Sequence, residues 1–301
     1  MQLSFEIPDY WPKLIKGDDI SLISPSFALK PGEIASIKDL LTDWGLRPQI
    51  FPCKTPNHEA FLANSDEERL SELQKTFSCD NSKVIAANRG GYGAARILND
   101  LLEGKKPQKF KLLCGFSDIT SLHLAFNNCF KFSTLHCPVL KDIANGRINN
   151  KSIQLFKDIL FGKIKILSYE VRPLNPALKI VNLPKLLGGN LSLIQTSIGT
   201  KWQINNNGEY AMLIEDVDEE AYKIDRMLNH LKNANIFNNC RAIFIGDFTE
   251  KADRNNQYHL NQIINEFISQ IKIPAFEIRN IGHGATNLSI PLGIAPTFKI
   301  L

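Results

Sequence analysis

Apolar and polar positions follow two rhythms along the chain. Residues 19–24 alternate with period two and run into Pro25-Ser26, predicting a strand that ends in a turn. Ile34, Ile37, Leu41 and Trp44 then recur at helical spacing as far as Gly45, a residue suited to the position just past a helix. Ser65-Asp-Glu-Glu68 has capping-box order ahead of Leu70, Leu73 and Phe77, the buried face of a second helix. Residues 83–87 read as a buried strand, Arg89-Gly-Gly-Tyr-Gly93 as a loop, and Ala94 onward as a helix. Residues 109–114, 115–118 and 119–126 repeat that order of strand, turn and helix. The alternation predicts an α/β domain with a mostly parallel sheet.

The pattern loosens between about Asn145 and Pro184, where Asn-rich stretches, Pro173 and Pro176 predict a junction. We expect an N-terminal domain over 1–150, a linker region over 151–184 and a C-terminal domain over 185–301. Beyond the junction, residues 210–217 and 241–248 predict strands, with an amphipathic helix marked by Ile224, Met227, Leu228 and Leu231 between them. Residues 287–296 alternate with strand period but carry prolines and a glycine, as edge strands or bends do.

The 35 Lys+Arg and 31 Asp+Glu of this 301-residue chain leave a formal +4, so overall charge gives no reason to expect a nucleic acid or an anionic membrane as partner. The first residues have no basic region leading into an apolar stretch, and nowhere do eighteen apolar residues run together. Neither a signal peptide nor a membrane span is expected. Cys53, Cys79, Cys114, Cys129, Cys137 and Cys240 form no C-x-x-C pair, so we expect reduced thiols in a cytoplasmic protein and no structural zinc.

Ser117 sits on the sharp turn between a predicted strand and helix, where a hydroxyl projects from the carboxyl end of a sheet beside free backbone N–H groups. Gly115-x-Ser117 fits a nucleophile elbow, although Ile119 stands where G-x-S-x-G has glycine. Ser117 or Asp118 capping the helix is the competing reading. The Arg89-Gly-Gly-Tyr-Gly93 loop lets amides approach a ligand, but lacks both the Lys-Ser/Thr of a P-loop and the spacing of a dinucleotide turn. A serine nucleophile needs a base. Among His58, His123, His136, His230, His259 and His283, the last lies between glycines on a loop, while His136, next to Cys137, is its competitor. Glu215 and Asp216 end an apolar strand, and either can orient an imidazole or cap the helix that follows.

Taken in order, the motifs resemble the LD-carboxypeptidases, the muramoyltetrapeptide carboxypeptidase family of serine peptidases. They are Ile23-Ser-Pro-Ser26, the segment from Ala87 to Arg96, Gly115-Phe-Ser-Asp-Ile-Thr120, Leu187-Gly-Gly-Asn-Leu191, Ile214-Glu-Asp-Val217 with Tyr222 and Asp225-Arg226-Met227-Leu228, Gly246-Asp-Phe-Thr249, and Gly282-His-Gly284 followed by Asn287 and Pro291-Leu-Gly293. The resemblance implies a Ser117, His283 and Glu215 triad, with Gly91 and Asp118 amides as oxyanion donors. It implies a nucleophile on an N-terminal α/β domain, and the other two residues on a C-terminal domain with a β-barrel-like core. It also implies a cytoplasmic homodimer that releases D-alanine from a murein tetrapeptide and needs no metal or organic cofactor. Phe116 and Cys137 depart from the family pattern, in which a tyrosine and His-Gly-Pro are usual.

Two alternatives stand beside this reading. The microcin C immunity peptidases share the resemblance but tend to carry a longer loop with a base-stacking aromatic, for which this chain has no room. A two-domain peptide- or sugar-binding protein would have no need of Ser117, Glu215 and His283 together.

Overall fold

The structure, a computed structural model, describes residues 1–50, 61–104, 106–176, 182–204, 208–249 and 256–299, with the side chains of 256–258 excepted. Cys53 and His58 lie outside the described residues. The strands in chain order are β1 (Gln2–Glu6), β2 (Asp19–Ile23), β3 (Arg47–Ile50), β4 (Ser82–Ala87), β5 (Leu112–Gly115), β6 (Thr134–His136), β7 (Ile166–Pro173), β8 (Leu186–Asn190), β9 (Tyr210–Val217), β10 (Cys240–Thr249), β11 (Ala275–Ile278), β12 (Ile290–Leu292) and β13 (Thr297–Lys299).

They form two sheets. The first has the order β12-β6-β5-β4-β2-β3, parallel throughout except for β12, which runs antiparallel at its edge. The second has the order β13-β1-β7-β11-β10-β9-β8; its β8 to β11 half is parallel and the rest antiparallel. The α/β class with a mostly parallel first sheet is thus the one expected. The sheets also exchange strands. β1 and β7 join the second sheet from the first half of the chain and the junction region, and β12 returns from the C-terminal part to the first. The 151–184 region carries a helix, Asn150–Leu160, and in β7 a clear alternation with Leu167, Tyr169 and Val171 buried.

Because the parallel strands are covered on both faces, successive residues feed two different cores. Val84, Ala86, Leu112, Leu213 and Phe244 lie in one, and Ile85, Ala87, Leu113, Met212, Ile214 and Ile243 in the other. Each core takes residues from both sheets, so the halves are joined by apolar packing as well as by exchanged strands.

Local signals hold where caps enforce them. The Ser65 side chain accepts a hydrogen bond from the Glu68 amide at the start of the helix Asp66–Ser78, and Gly45 takes a left-handed φ of 83° past the helix Glu33–Asp43. The segment after Gly93 begins as a 3-10 turn, Ala94–Ile97, before the α-helix Leu98–Glu103.

Candidate active site

β5 leaves the first sheet at Gly115, passes Phe116, and turns at Ser117 into a 3-10 turn, Ser117–Ile119, that feeds the helix Thr120–Ala125. Ser117 has φ 63°, a left-handed conformation that costs a non-glycine residue roughly 1–3 kcal/mol and is kept where the surroundings enforce it. Ile119, in the place of the elbow's second glycine, is fully buried. Asp118 is buried with its carboxylate turned inward, accepting from Ser26 Oγ at 2.6 Å and from the Ala94 amide at 2.8 Å. It ties the turn to the loop after β2 and to the glycine loop. The glycine loop passes so close that a Cβ on Gly90 would stand 3.2 Å from Ser117 Oγ and 3.6 Å from the Asp118 amide nitrogen. Arg69, buried, donates to the carbonyls of Pro25 and Gly93 and fixes this loop from behind.

The other half of the site comes from the second sheet. Glu215, near the end of β9, is wholly buried, and its Oε2 lies 2.8 Å from His283 Nδ1. Asp216 turns elsewhere: its carboxylate accepts from Asn190 Nδ2 at 2.8 Å and from the amide and hydroxyl of Ser192 at 2.9 and 2.7 Å. The helix after them runs Ala221–Asn233 with Glu220 at its N-cap, so neither acid caps it. Loop 280–284 is pinned beside the bulge in β10, where the Asp247 amide donates to the Ile281 carbonyl and Asp247 Oδ1 accepts from the Asn280 amide.

Burial pushes the Glu215 carboxyl up, but His136 and His283 beside it prevail and hold it down to about 2, so it is ionised near neutral pH. Burial likewise opposes protonation of His283, and the Glu215 charge overrides it, raising the imidazole above its ordinary value. With Glu215 ionised, the His283 Nδ1 proton is donated to it, leaving Nε2 as the basic nitrogen. That Nε2 is buried and has no hydrogen-bond partner.

Ser117, Gly91 and His283 line one pocket of about 150 Å³, with Phe116 on its wall; the Phe116 and His283 rings are 4.6 Å apart. A hydroxyl on a strained turn, a carboxylate-bound imidazole and a glycine loop in one small pocket are the parts nucleophilic acyl transfer uses. Among the described residues no cluster of three or more His, Cys, Asp or Glu side chains could hold a metal, and no helix is long and apolar enough to cross a membrane.

Four other histidines lie among the described residues. His136, at the end of β6, is fully buried with Nε2 3.7 Å from Glu215 Oε1, so it meets the carboxylate rather than acting with Cys137. Cys137 is buried, and burial raises its thiol well above the usual range, which keeps it protonated. His123, on the helix after Ser117, is buried with Nε2 2.9 Å from the Gly115 carbonyl, and burial brings it down to about 3. His230 pairs with Gln195 on the surface, and His259 is exposed. The alternating segment around His136 marks it as a strand residue, but its approach to Glu215 arises only when the two sheets meet.

A serine on a tight strand-to-helix turn of one sheet, beside a carboxylate-bound histidine from the other, has the form of a serine hydrolase. The chain belongs to the LD-carboxypeptidase family: the LD-carboxypeptidase N-terminal domain matches residues 20–137 and the LD-carboxypeptidase C-terminal domain matches residues 184–298. It is therefore a carboxypeptidase of the serine type. A probable murein peptide carboxypeptidase of Bacillus subtilis is 31% identical, the match covering 95% of this chain and 90% of that protein. The crystal structure of muramoyltetrapeptide carboxypeptidase from Oxalobacter formigenes shares the fold with a TM-score of 0.75 at 22% identity, over 91% of this chain and 92% of that one. The microcin C7 self-immunity protein MccF, in complex with glutamyl sulfamoyl guanosine, has a TM-score of 0.77 at 17% identity, over 96% and 95%.

Proposed function

We propose that the protein releases the terminal D-alanine from murein tetrapeptides, with Ser117 as nucleophile, His283 as general base and then acid, and Glu215 as the group that orients and charges His283. The observation that carries this is the 2.8 Å contact between Glu215 and His283 Nδ1, which leaves Nε2 free in the pocket that Ser117 lines. In this reading His283 Nε2 takes the proton of Ser117 Oγ as the oxygen attacks the amide carbonyl of the third residue. The tetrahedral oxyanion accepts hydrogen bonds from the Gly91 and Asp118 amides, His283 protonates the departing amine, and water then hydrolyses the acyl-enzyme by the same steps in reverse. The crowding between Gly90 and Ser117 supports placing the glycine loop at the oxyanion.

The relatives that carry murein peptide names support the substrate class. Mass spectrometry of the products from defined tri-, tetra- and pentapeptides tests it. Loss of one D-alanine from the tetrapeptide is expected, with a fall of roughly 10⁴-fold in Ser117→Ala. Cleavage of an aminoacyl sulfamoyl adenylate in preference to the tetrapeptide, or undiminished turnover by Ser117→Ala, would overturn it. A cytoplasmic homodimer completes the proposal, to be checked by sedimentation and cell fractionation.

A further inference from the structure

The pocket that holds Ser117 and His283 is rich in cations. Arg89, Lys141 and Arg147 line it, with Asp142 as the one carboxylate among the lining residues. Two of the three cations are already matched: Lys141 Nζ lies 3.6 Å from Glu33, and Arg147 Nη1 lies 3.8 Å from Asp142. Among the described residues no carboxylate lies within salt-bridge distance of Arg89. Glu33 and Asp142 reach it only as longer-range charges; its direct contacts are neutral, since Nη1 donates to the Ala28 carbonyl and the group sits 5.4 Å from the centre of the Phe27 ring. Two other arginines that could meet an acid are used elsewhere: Arg96 is paired with Asp66 at 2.8 Å, and Arg226 lies over the exposed Tyr222 ring.

We infer that Arg89 is the binding group for the free C-terminal carboxylate of the peptide substrate. The inference rests on the carboxypeptidase reading of the pocket. In the scissile amide the terminal carboxylate is separated from the nitrogen by a single Cα, so a cation that recognises it must share a small cavity with the nucleophile. Arg89 does so within about 150 Å³. It also immediately precedes Gly90 and Gly91, so one turn presents both the loop that crowds Ser117 and the charge that reads the chain end. Asn88 anchors that turn by donating to Ser24 Oγ at 2.9 Å, and its carbonyl accepts from the Lys141 amide. A guanidinium already oriented by Ala28 and Phe27 loses little freedom on meeting a carboxylate.

The test compares kcat/KM for a tetrapeptide with a free C-terminus and for the same tetrapeptide as its C-terminal amide. The wild type is expected to prefer the acid by roughly 10- to 100-fold, the range for a charge-assisted hydrogen-bonded pair. Arg89→Met should bring the acid-to-amide ratio close to one, and Arg89→Lys should restore part of the preference. The ratio is measured on one preparation, so a reduced active fraction cancels; Arg89→Gln replaces Arg89→Met if the latter does not fold. An unchanged ratio in Arg89→Met, or a ratio that collapses in Arg147→Met instead, would overturn the inference. Failure of the wild type to release D-alanine at all would sink the proposed function and is thereby told apart.

Discussion

His136 stands with its Nε2 3.7 Å from Glu215 Oε1, the oxygen that His283 leaves unused. Both side chains are fully buried, and Oε1 has no hydrogen-bond partner. The His136 ring fills the space beside Oε1, on the side of the carboxylate away from the Oε2 contact with His283. His136→Phe is expected to lower kcat about 10- to 100-fold with KM little changed, the cost of a lost contact to a buried charge. His136→Asn, which keeps a donor, should recover part of it. Steady-state kinetics of the two variants, with near-ultraviolet circular dichroism to confirm the fold, decide the matter.

Glu215→Gln removes the charge and gives Nδ1 the wrong partner. A fall of roughly 10³- to 10⁴-fold in kcat is expected. The pH profile carries more information. In the proposed mechanism His283 acts as base only when neutral, and Glu215 holds its pKa above the usual imidazole value, so the acid limb of kcat/KM should lie above pH 6.5 in the wild type. In Glu215→Gln the residual activity should have its acid limb at lower pH.

Acid should destabilise the protein through His123. Its folded pKa is about 3 against 6.5 unperturbed, so between those values the unfolded chain binds a proton that the folded one does not. Stability is then complete above pH 6.5 and is lost as pH falls toward 3. Glu215, held at about 2, acts in the same direction below pH 4.5. His283, raised, acts oppositely: its contribution is complete below pH 6.5 and is lost as pH rises through its folded value. Glu72, pushed up to about 7 by burial, acts oppositely between pH 7 and 4.5, so the His123 contribution is read by difference in thermal melts: Tm should fall less, or rise more, between pH 6.5 and 4 in His123→Gln than in the wild type.

β8 is tight at two glycines, one against its neighbour β9 and the other against the helix that follows Ser117. A Cβ on Gly188 would lie 2.1 Å from the Leu213 carbonyl oxygen, and one on Gly189 would lie 2.6 Å from Thr120 Oγ1. Both glycines have left-handed φ, 123° and 128°. Gly188→Ala should cost about 3 kcal/mol or more, because a paired backbone carbonyl cannot retreat. Gly189→Ala should cost less, since the Thr120 side chain can rotate at the expense of its bond to the Asn190 amide. Urea titrations of both variants would show that order.

The α/β class is legible because residues 84–87 and 112–114 present short continuous apolar runs of the kind that strands buried on two faces require. The turn at Ser117 is legible from its strand-to-helix context, although its left-handed φ is enforced by tertiary packing. Glu215 and Asp216 are both acids at one strand end, and only the structure separates them. One residue on, the alternation of β9 swings Asp216 toward Asn190 and Ser192 while Glu215 meets His283. The role of His136 is invisible in sequence, because 79 residues and a sheet boundary separate it from Glu215. β7 escapes notice for a related reason, its alternation being interleaved with Ser168, Glu170 and Arg172 and ending in Pro173.

The exchanged strands govern when this protein can become active. The sheet that carries Ser117 receives its last strand, β12, only after residue 292 has been made, and β1 pairs with β7 between residues as far apart as Gln2 and Glu170. Contacts of such long range delay folding. The serine turn is thus made long before His283 and the strand that completes its sheet, and the proposed site assembles only once β12 and loop 280–284 have packed against the first sheet.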